Sequence, residues 1–344
     1  MTRAALVLVT NPGDAAIASY RLDGETLRPL AVTGGLPGTG TFAIDQQRDL
    51  VYAGVKGEPA GIVTLALDRS SGSLTPLSRR DVDASLAYLT LANQGRLLLG
   101  ASYGGGYGCV WPVAGDGRVG EPVARVEFPN LHSVVATEQH AYFVSLGADL
   151  IAQYALADDG TLTPLEPPTV AAPAGSGPRH LVLSADGRNA YLMTEFSGEA
   201  IRFARDPGSG VLTRTEAVPA HDTGRGLGHS VFGADPVEHH YIWGADLHLT
   251  PDGHRLLCSE RTESTLTTLE VAPDGRLLDQ LAVSATEPQP RGFALSPDGD
   301  LVLAVGEKSD HVALSRLEPD GTLTPLDRVP TGAGANWVRA IPLD

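Results

Sequence analysis

Cysteine is nearly missing from this chain: two residues, Cys109 and Cys258, among 344. They fall in different repeat units, so no disulfide framework is expected. Each reads instead as a small buried apolar side chain, in a reducing, cytoplasmic setting. Also missing is any run of about 18 apolar residues, which excludes a membrane-spanning helix. The opening MTRAALVLVTNP is too short, and turns polar too soon, for a secretory signal. Positive charge is scarce: 25 Lys and Arg stand against 41 Asp and Glu, a net charge of −16. That balance argues against nucleic acid or an acidic membrane as partner. An anionic substrate would need a locally basic pocket. No Gly-x-Ser-x-Gly elbow, Walker loop or dinucleotide fingerprint occurs. The glycine run between Tyr103 and Tyr107 lacks the following helix that would make it a phosphate cradle.

What the chain has in quantity is turns, with 40 Gly and 25 Pro. Seven Gly-centred turns recur: DGETLRPL from Asp23, SGSLTPL from Ser71, GDGRVGEP from Gly115, DDGTLTPL from Asp158, GSGVLTR from Gly208, PDGRLLDQ from Pro273 and PDGTLTPL from Pro319. Their spacing of roughly 46 residues, with strand-like runs between, predicts a propeller with one blade per unit. The segment from Phe293 gives a whole blade: FALSPDG, LVLAVGE, HVALSRLEPDG and TLTPLDRVPT alternate as four strands, a to d from the centre outward. Residues 5–32 supply only strands b, c and d, while Trp337 to Leu343 form a lone strand. Joining the two completes the first blade and leaves no open edge. Fold class is therefore all-β: one seven-bladed propeller over residues 1–344, four antiparallel strands per blade, closed by the C-terminal strand.

Strand direction sorts the loops. The a–b and c–d turns fall on one end of the disc and read as structural. The b–c loops and d–a crossovers fall on the other, where ligand sites belong. That face gathers Tyr103, His132, Arg179, His180, Glu195, Arg261, Arg291 and Lys308 from distant parts of the chain. Asp246 and His248 alternate on an innermost strand and point to the channel. Glu195 reads as a general base near cationic groups, with Arg179, Arg261 or His132 as oxyanion or anion ligands. Each also has a plainer reading: surface ion pairs for the arginines, a solvated turn carboxylate for Glu195, hydrogen-bonded packing for His132 and His180, and polar channel filling for Asp246 and His248. Neighbouring Glu260 and Glu307 would weaken the positive field if they point inward. One long d–a crossover, residues 217–242, lies on the same face and holds four of the ten His. Its adjacent His239 and His240 lack metal-ligand spacing, so no metal is expected there; a Gly-rich lid over the channel is the expected role.

Three segments, GSGPRHLVLSADGRNAYLMTE, ADLHLTPDGHRLLCSERT and QPRGFALSPDGDLVLAVGEKSDHV, resemble the seven-bladed propeller lactonases, in particular their bacterial 6-phosphogluconolactonase branch. The fungal-type carboxymuconate lactonizing enzymes are related. The joint occurrence of PRH, a Glu 16 residues beyond its Arg, and QPRGF carries the likeness, which is strong from about His132 onward. The resemblance implies metal-free, cofactor-free hydrolysis of a small anionic sugar lactone, 6-phosphogluconolactone, in the oxidative pentose phosphate route. By motif the site residues of the lactonizing relatives fall on His132, Arg179, Glu195 and Arg261. Arg291, His180, Lys308 and Tyr103, with Asp246 and His248, are then the expected substrate contacts. Monomer or weak homo-oligomer is the expected state. Competing readings are an unphosphorylated aldonolactone hydrolase, a carboxymuconate cycloisomerase and a non-catalytic binding propeller.

Overall fold

The computed structural model describes residues 4–343. Seven sheets of four antiparallel strands form the ring, and the first blade is completed by the C-terminal strand. That strand, Trp337–Pro342, pairs along the first strand of the chain, Ala5–Asn11, in register from Ala5 opposite Pro342 to Thr10 opposite Trp337. The indole Nε1 of Trp337 also donates to the Phe42 carbonyl in the second blade at 3.2 Å. The ring is thus closed by backbone pairing within one blade and locked to the next.

Each blade is buried on both faces, because the core is not one mass but seven apolar slabs between neighbouring blades. Phe143, Leu99 and Val134, for example, fill the gap between the third and fourth blades. Innermost strands are therefore apolar on the sides that meet neighbours, and the outer strand d alternates buried with exposed.

The Gly-centred turns stitch this ring together. At Gly321 φ is +87°, and an added Cβ would lie 2.8 Å from Leu281 Cβ. Only glycine combines that backbone with that approach. The preceding Asp320 accepts the Thr322 amide at 3.0 Å, the self-bonding that favours Asp in such turns. The freed Gly carbonyl reaches the preceding blade: Gly321 O accepts from Thr268 Oγ1 at 2.8 Å, Gly275 O from Tyr191 OH at 2.7 Å and Gly210 O from Tyr142 OH at 2.6 Å. This face is occupied by structural bonds, as the sequence predicted, and the opposite face is left for chemistry.

The long crossover, from the end of Leu212–Pro219 to the start of Gly244–Leu249, carries a short 3₁₀ turn, Thr223–Arg225, and a four-residue helix, Pro236–His239. It does not form the expected lid. Its middle packs on the rim of the fifth blade, where the Ser230 amide donates to the Phe196 carbonyl at 3.0 Å and the Phe232 ring meets that of Phe196. Among the described residues no helix is long and apolar enough to cross a membrane.

Truncation after Asn336 removes the closing strand and exposes the edge of Ala5–Asn11. The expected outcome is loss of cooperative thermal unfolding and a shift to aggregates, read by circular dichroism and size-exclusion chromatography. Wild-type cooperative unfolding in the truncated chain would contradict closure as the stabilising element.

Candidate active site

On the loop-rich face the channel opens into a cavity of about 690 Å³. Its wall is built from d–a crossovers, b–c loops and the first residues of innermost strands, and from nothing on the opposite face. Two local rules put side chains there. First, in five of the seven blades the residue immediately after strand b lines the cavity: Pro12, Lys56, Tyr103, Glu195 and Arg261. Second, the innermost strands of three successive blades carry a β-bulge at their mouth end. Pairing skips from Leu131 to Ser133, from Pro178 to His180, and from Gly244 to Leu247. The unpaired residues are His132, Arg179 and the pair Ala245–Asp246. A bulge re-aims side chains that a regular pleat would send elsewhere.

At the centre, Glu195 lies between two guanidiniums. Arg179 Nε donates to its Oε2 at 2.8 Å, and Arg261 Nη2 pairs with the same oxygen at 3.1 Å. Oε1 carries no hydrogen bond among the described residues, and it is the oxygen left for a ligand or water. Burial alone would raise the Glu195 pKa; Arg261, Arg179 and Arg291 together outweigh it and hold the carboxyl below its ordinary 4.5. Burial, and then Arg261, bring the Arg179 guanidinium down to about 9, so it stays protonated at neutral pH.

Both arginines are held from behind. Arg179 Nη1 donates to the Ala245 carbonyl at 2.5 Å and to His180 Nε2 at 3.2 Å. His180 Nδ1 in turn meets Asp246 Oδ1 at 2.7 Å, and His248 Nε2 meets Asp246 Oδ2 at 3.1 Å. Burial, then Arg179, drives the His180 pKa down to about 3, so the ring is neutral. A neutral ring that accepts from Arg179 must donate from Nδ1 to Asp246, which fixes its tautomer. Arg261 stacks on the Trp243 ring, 3.9 Å from its centroid, and its Nη2 donates to the Gly244 carbonyl at 3.1 Å. Such a stack contributes about 0.5–2 kcal/mol. His132 packs edge-on to both His180 and Tyr103, and its Nδ1 is buried without a partner. Burial first, and then Arg179 and His180, push its pKa well below 6.5.

Of the residues singled out in the sequence, Tyr103, His132, Arg179, Glu195, Arg261 and Arg291 meet in this cavity. His180 and Asp246 stand one layer behind the wall, with His248 joined to them through Asp246. Lys308 is exposed and outside the lining, because it is the third residue beyond strand b and not the first. Glu260 turns away: wholly buried, it accepts the amides of Trp243, Thr262 and Glu263. Glu307 does reach the wall and pairs with Arg291 at 3.2 Å. Sequence reasoning missed Lys56, Trp243, Ser85 and Asn336. The strand-b rule would have found Lys56; Trp243, at the end of the long crossover, had no comparable signal. Among the described residues no cluster of His, Cys, Asp and Glu is spaced to hold a metal.

The arrangement can bind an anion, hold a water against a carboxylate, and offer unpaired donors, Arg179 Nη2 and Arg261 Nη1, to a developing oxyanion. Residues 6–340 match the family described as "Lactonase, 7-bladed beta-propeller". The 6-phosphogluconolactonase of Sodalis glossinidius is 32% identical over 346 residues, covering 98% of each chain. That of Serratia proteamaculans is 31% identical over 97% of this chain and 98% of its own. The periplasmic gluconolactonase of Pseudomonas aeruginosa superposes with a TM-score of 0.87 at 27% identity, covering 99% of this chain and all of its own. With its blades, its closing strand and this full-length match, the chain belongs to the seven-bladed β-propeller lactonase family.

Proposed function

We propose that the protein hydrolyses 6-phospho-D-glucono-1,5-lactone to 6-phosphogluconate, and that the cavity around Glu195 is where it does so. The carrying observation is the convergence of four cations, Lys56, Arg179, Arg261 and Arg291, on one cavity of a strongly acidic protein. Relatives that match along the full chain bear the name of this activity. At physiological salt, screening over about 8 Å lets these near charges outweigh the distant negative ones. On the same reading the enzyme works in the cytoplasm, where its two free, buried thiols need no partner.

In the proposed step a water on Glu195 Oε1 loses a proton to the carboxylate and attacks the lactone carbonyl carbon. The carbonyl oxygen becomes an oxyanion facing Arg179 Nη2 and Arg261 Nη1. The bond from that carbon to the ring oxygen then breaks, and the proton on Glu195 passes to the departing ring oxygen. Glu195 is a weak base while both guanidiniums face it. Engagement of those guanidiniums by the oxyanion relaxes their hold, and its proton affinity rises as the reaction needs it. An aldonolactone opens readily, so this modest base suffices. His132, neutral and partnerless at Nδ1, stands ready to hydrogen-bond the substrate.

The structural likeness to a gluconolactonase keeps the unphosphorylated lactone as the alternative substrate. Side-by-side kcat/KM values on 6-phosphogluconolactone and gluconolactone decide: a preference of about tenfold or more for the phosphorylated lactone is expected, and preference for the bare lactone would overturn the proposal.

Glu195→Gln is expected to lower kcat by about 10² or more, measured above the spontaneous rate. A near-normal kcat would remove Glu195 from the role of base. The pH profile gives an independent check. Wild-type kcat/KM should fall only as pH drops through the depressed Glu195 pKa, below 4.5. In Arg261→Met the strongest charge opposing burial is gone, so the Glu195 pKa rises. The acid limb should then move toward neutral pH, and an unmoved limb would contradict the coupling.

A further inference from the structure

The cavity has two unlike halves. Blades four to seven supply the packed, paired charges: Arg179 and Arg261 face Glu195, and Arg291 faces Glu307. Blades one and two, with the crossover that follows, supply small groups instead: Gly38, Gly40, Gly334, Ser85 and Asn336, with one cation among them, Lys56. The chain has only two lysines, Lys56 and Lys308, and only Lys56 reaches the cavity. Among the described residues no ion pair involves Lys56, whereas each of the three arginines has a carboxylate partner.

Lys56 is also built into its place. Its amide donates to the Pro37 carbonyl at 2.8 Å, and its alkyl stem runs over Gly38. An added Cβ at Gly38 would lie 2.8 Å from Lys56 Cδ and 3.0 Å from its Cβ and Cγ, so the missing side chain seats the stem. Nearby, Asn336 Oδ1 accepts the Thr10 hydroxyl at 2.8 Å, which leaves its Nδ2 as a donor. In a seven-membered ring the second blade lies opposite the fifth and sixth, so Lys56, exposed at the rim, stands on the side of the cavity opposite Glu195 and Arg261.

We propose that Lys56 is the specificity-determining residue of this site, the anchor for the substrate's phosphate, with Asn336 Nδ2 as a second donor. The inference rests on the phospholactone reading above and names the part of the cavity that distinguishes a phosphorylated lactone from a bare one. A phosphate ester carries about −1.5 to −2 charges at neutral pH and binds an ammonium as a compact point charge. The three arginines opposite share two carboxylates, Glu195 and Glu307, and Arg179 and Arg261 are directed to the reacting carbonyl. The unpaired ammonium is the cation left for the second negative group. Lys308, outside the cavity, has no part in it.

The test is the ratio of kcat/KM for 6-phosphogluconolactone to that for gluconolactone in wild type, Lys56→Met and Lys56→Arg. In Lys56→Met the ratio should fall about tenfold or more, mainly through a higher KM for the phosphorylated lactone, and Lys56→Arg should restore most of it. A wild-type preference for the phosphorylated lactone that survives in Lys56→Met overturns the Lys56 assignment alone. Equal loss on both substrates also overturns it, because the residue would then serve the fold or the chemistry and not the phosphate. No wild-type preference for the phosphorylated lactone overturns the functional reading itself, and the anchor with it.

Discussion

Two guanidiniums meeting on one largely buried carboxylate are the constraint around which this site is organised. Glu195, Arg179 and Arg261 are each removed from most of the solvent. Charges so placed are tolerable only together: deleting one partner of a buried pair typically costs about 3–5 kcal/mol, because the other is left without compensation. The supporting contacts follow from that need. Asp246 and His180 hold Arg179 from one side, and Trp243 and the Gly244 carbonyl hold Arg261 from the other. An ionised, water-facing carboxylate beside uncommitted guanidinium donors is what results, and it is the arrangement that the proposed hydrolysis uses.

The ring makes this gathering possible. Apolar slabs between blades carry the stability, and on one face the turn carbonyls of Gly117, Gly210, Gly275 and Gly321 bond four blades to the ones before them. No such bond needs the other face, whose strand ends are free to carry charge. The three mouth bulges are the local means. They fall in consecutive blades, four to six, and each delivers a polar side chain to the rim or just behind it.

Much of this was legible in the sequence because its causes are local. Asp-Gly turns require their residue types, and a lone C-terminal strand beside a first blade lacking one has a single partner. Strand alternation likewise sorted loops to faces, which is why Tyr103, His132, Arg179, Glu195, Arg261 and Arg291 could be grouped from distant segments. What strict alternation could not show was a bulge. Adjacent Arg179 and His180 share a motif, yet one lines the cavity and the other braces it, because the ladder skips a residue between Pro178 and His180. The long crossover misled for another reason: its glycines suggested mobility, whereas its direction is set by contacts to Phe196 that no local pattern announces. Lys56 went unremarked because loop composition does not say which loop residue faces inward; its position just after strand b does.

The central claim is that the product's carboxylate, once the lactone carbonyl, rests between Arg179 and Arg261. A crystal structure of the protein with 6-phosphogluconate tests it most directly. The account predicts a carboxylate oxygen within hydrogen-bonding distance of one or both guanidiniums, beside Glu195. Product bound on the turn face, or in the cavity with its carboxylate turned away from both arginines, would contradict it.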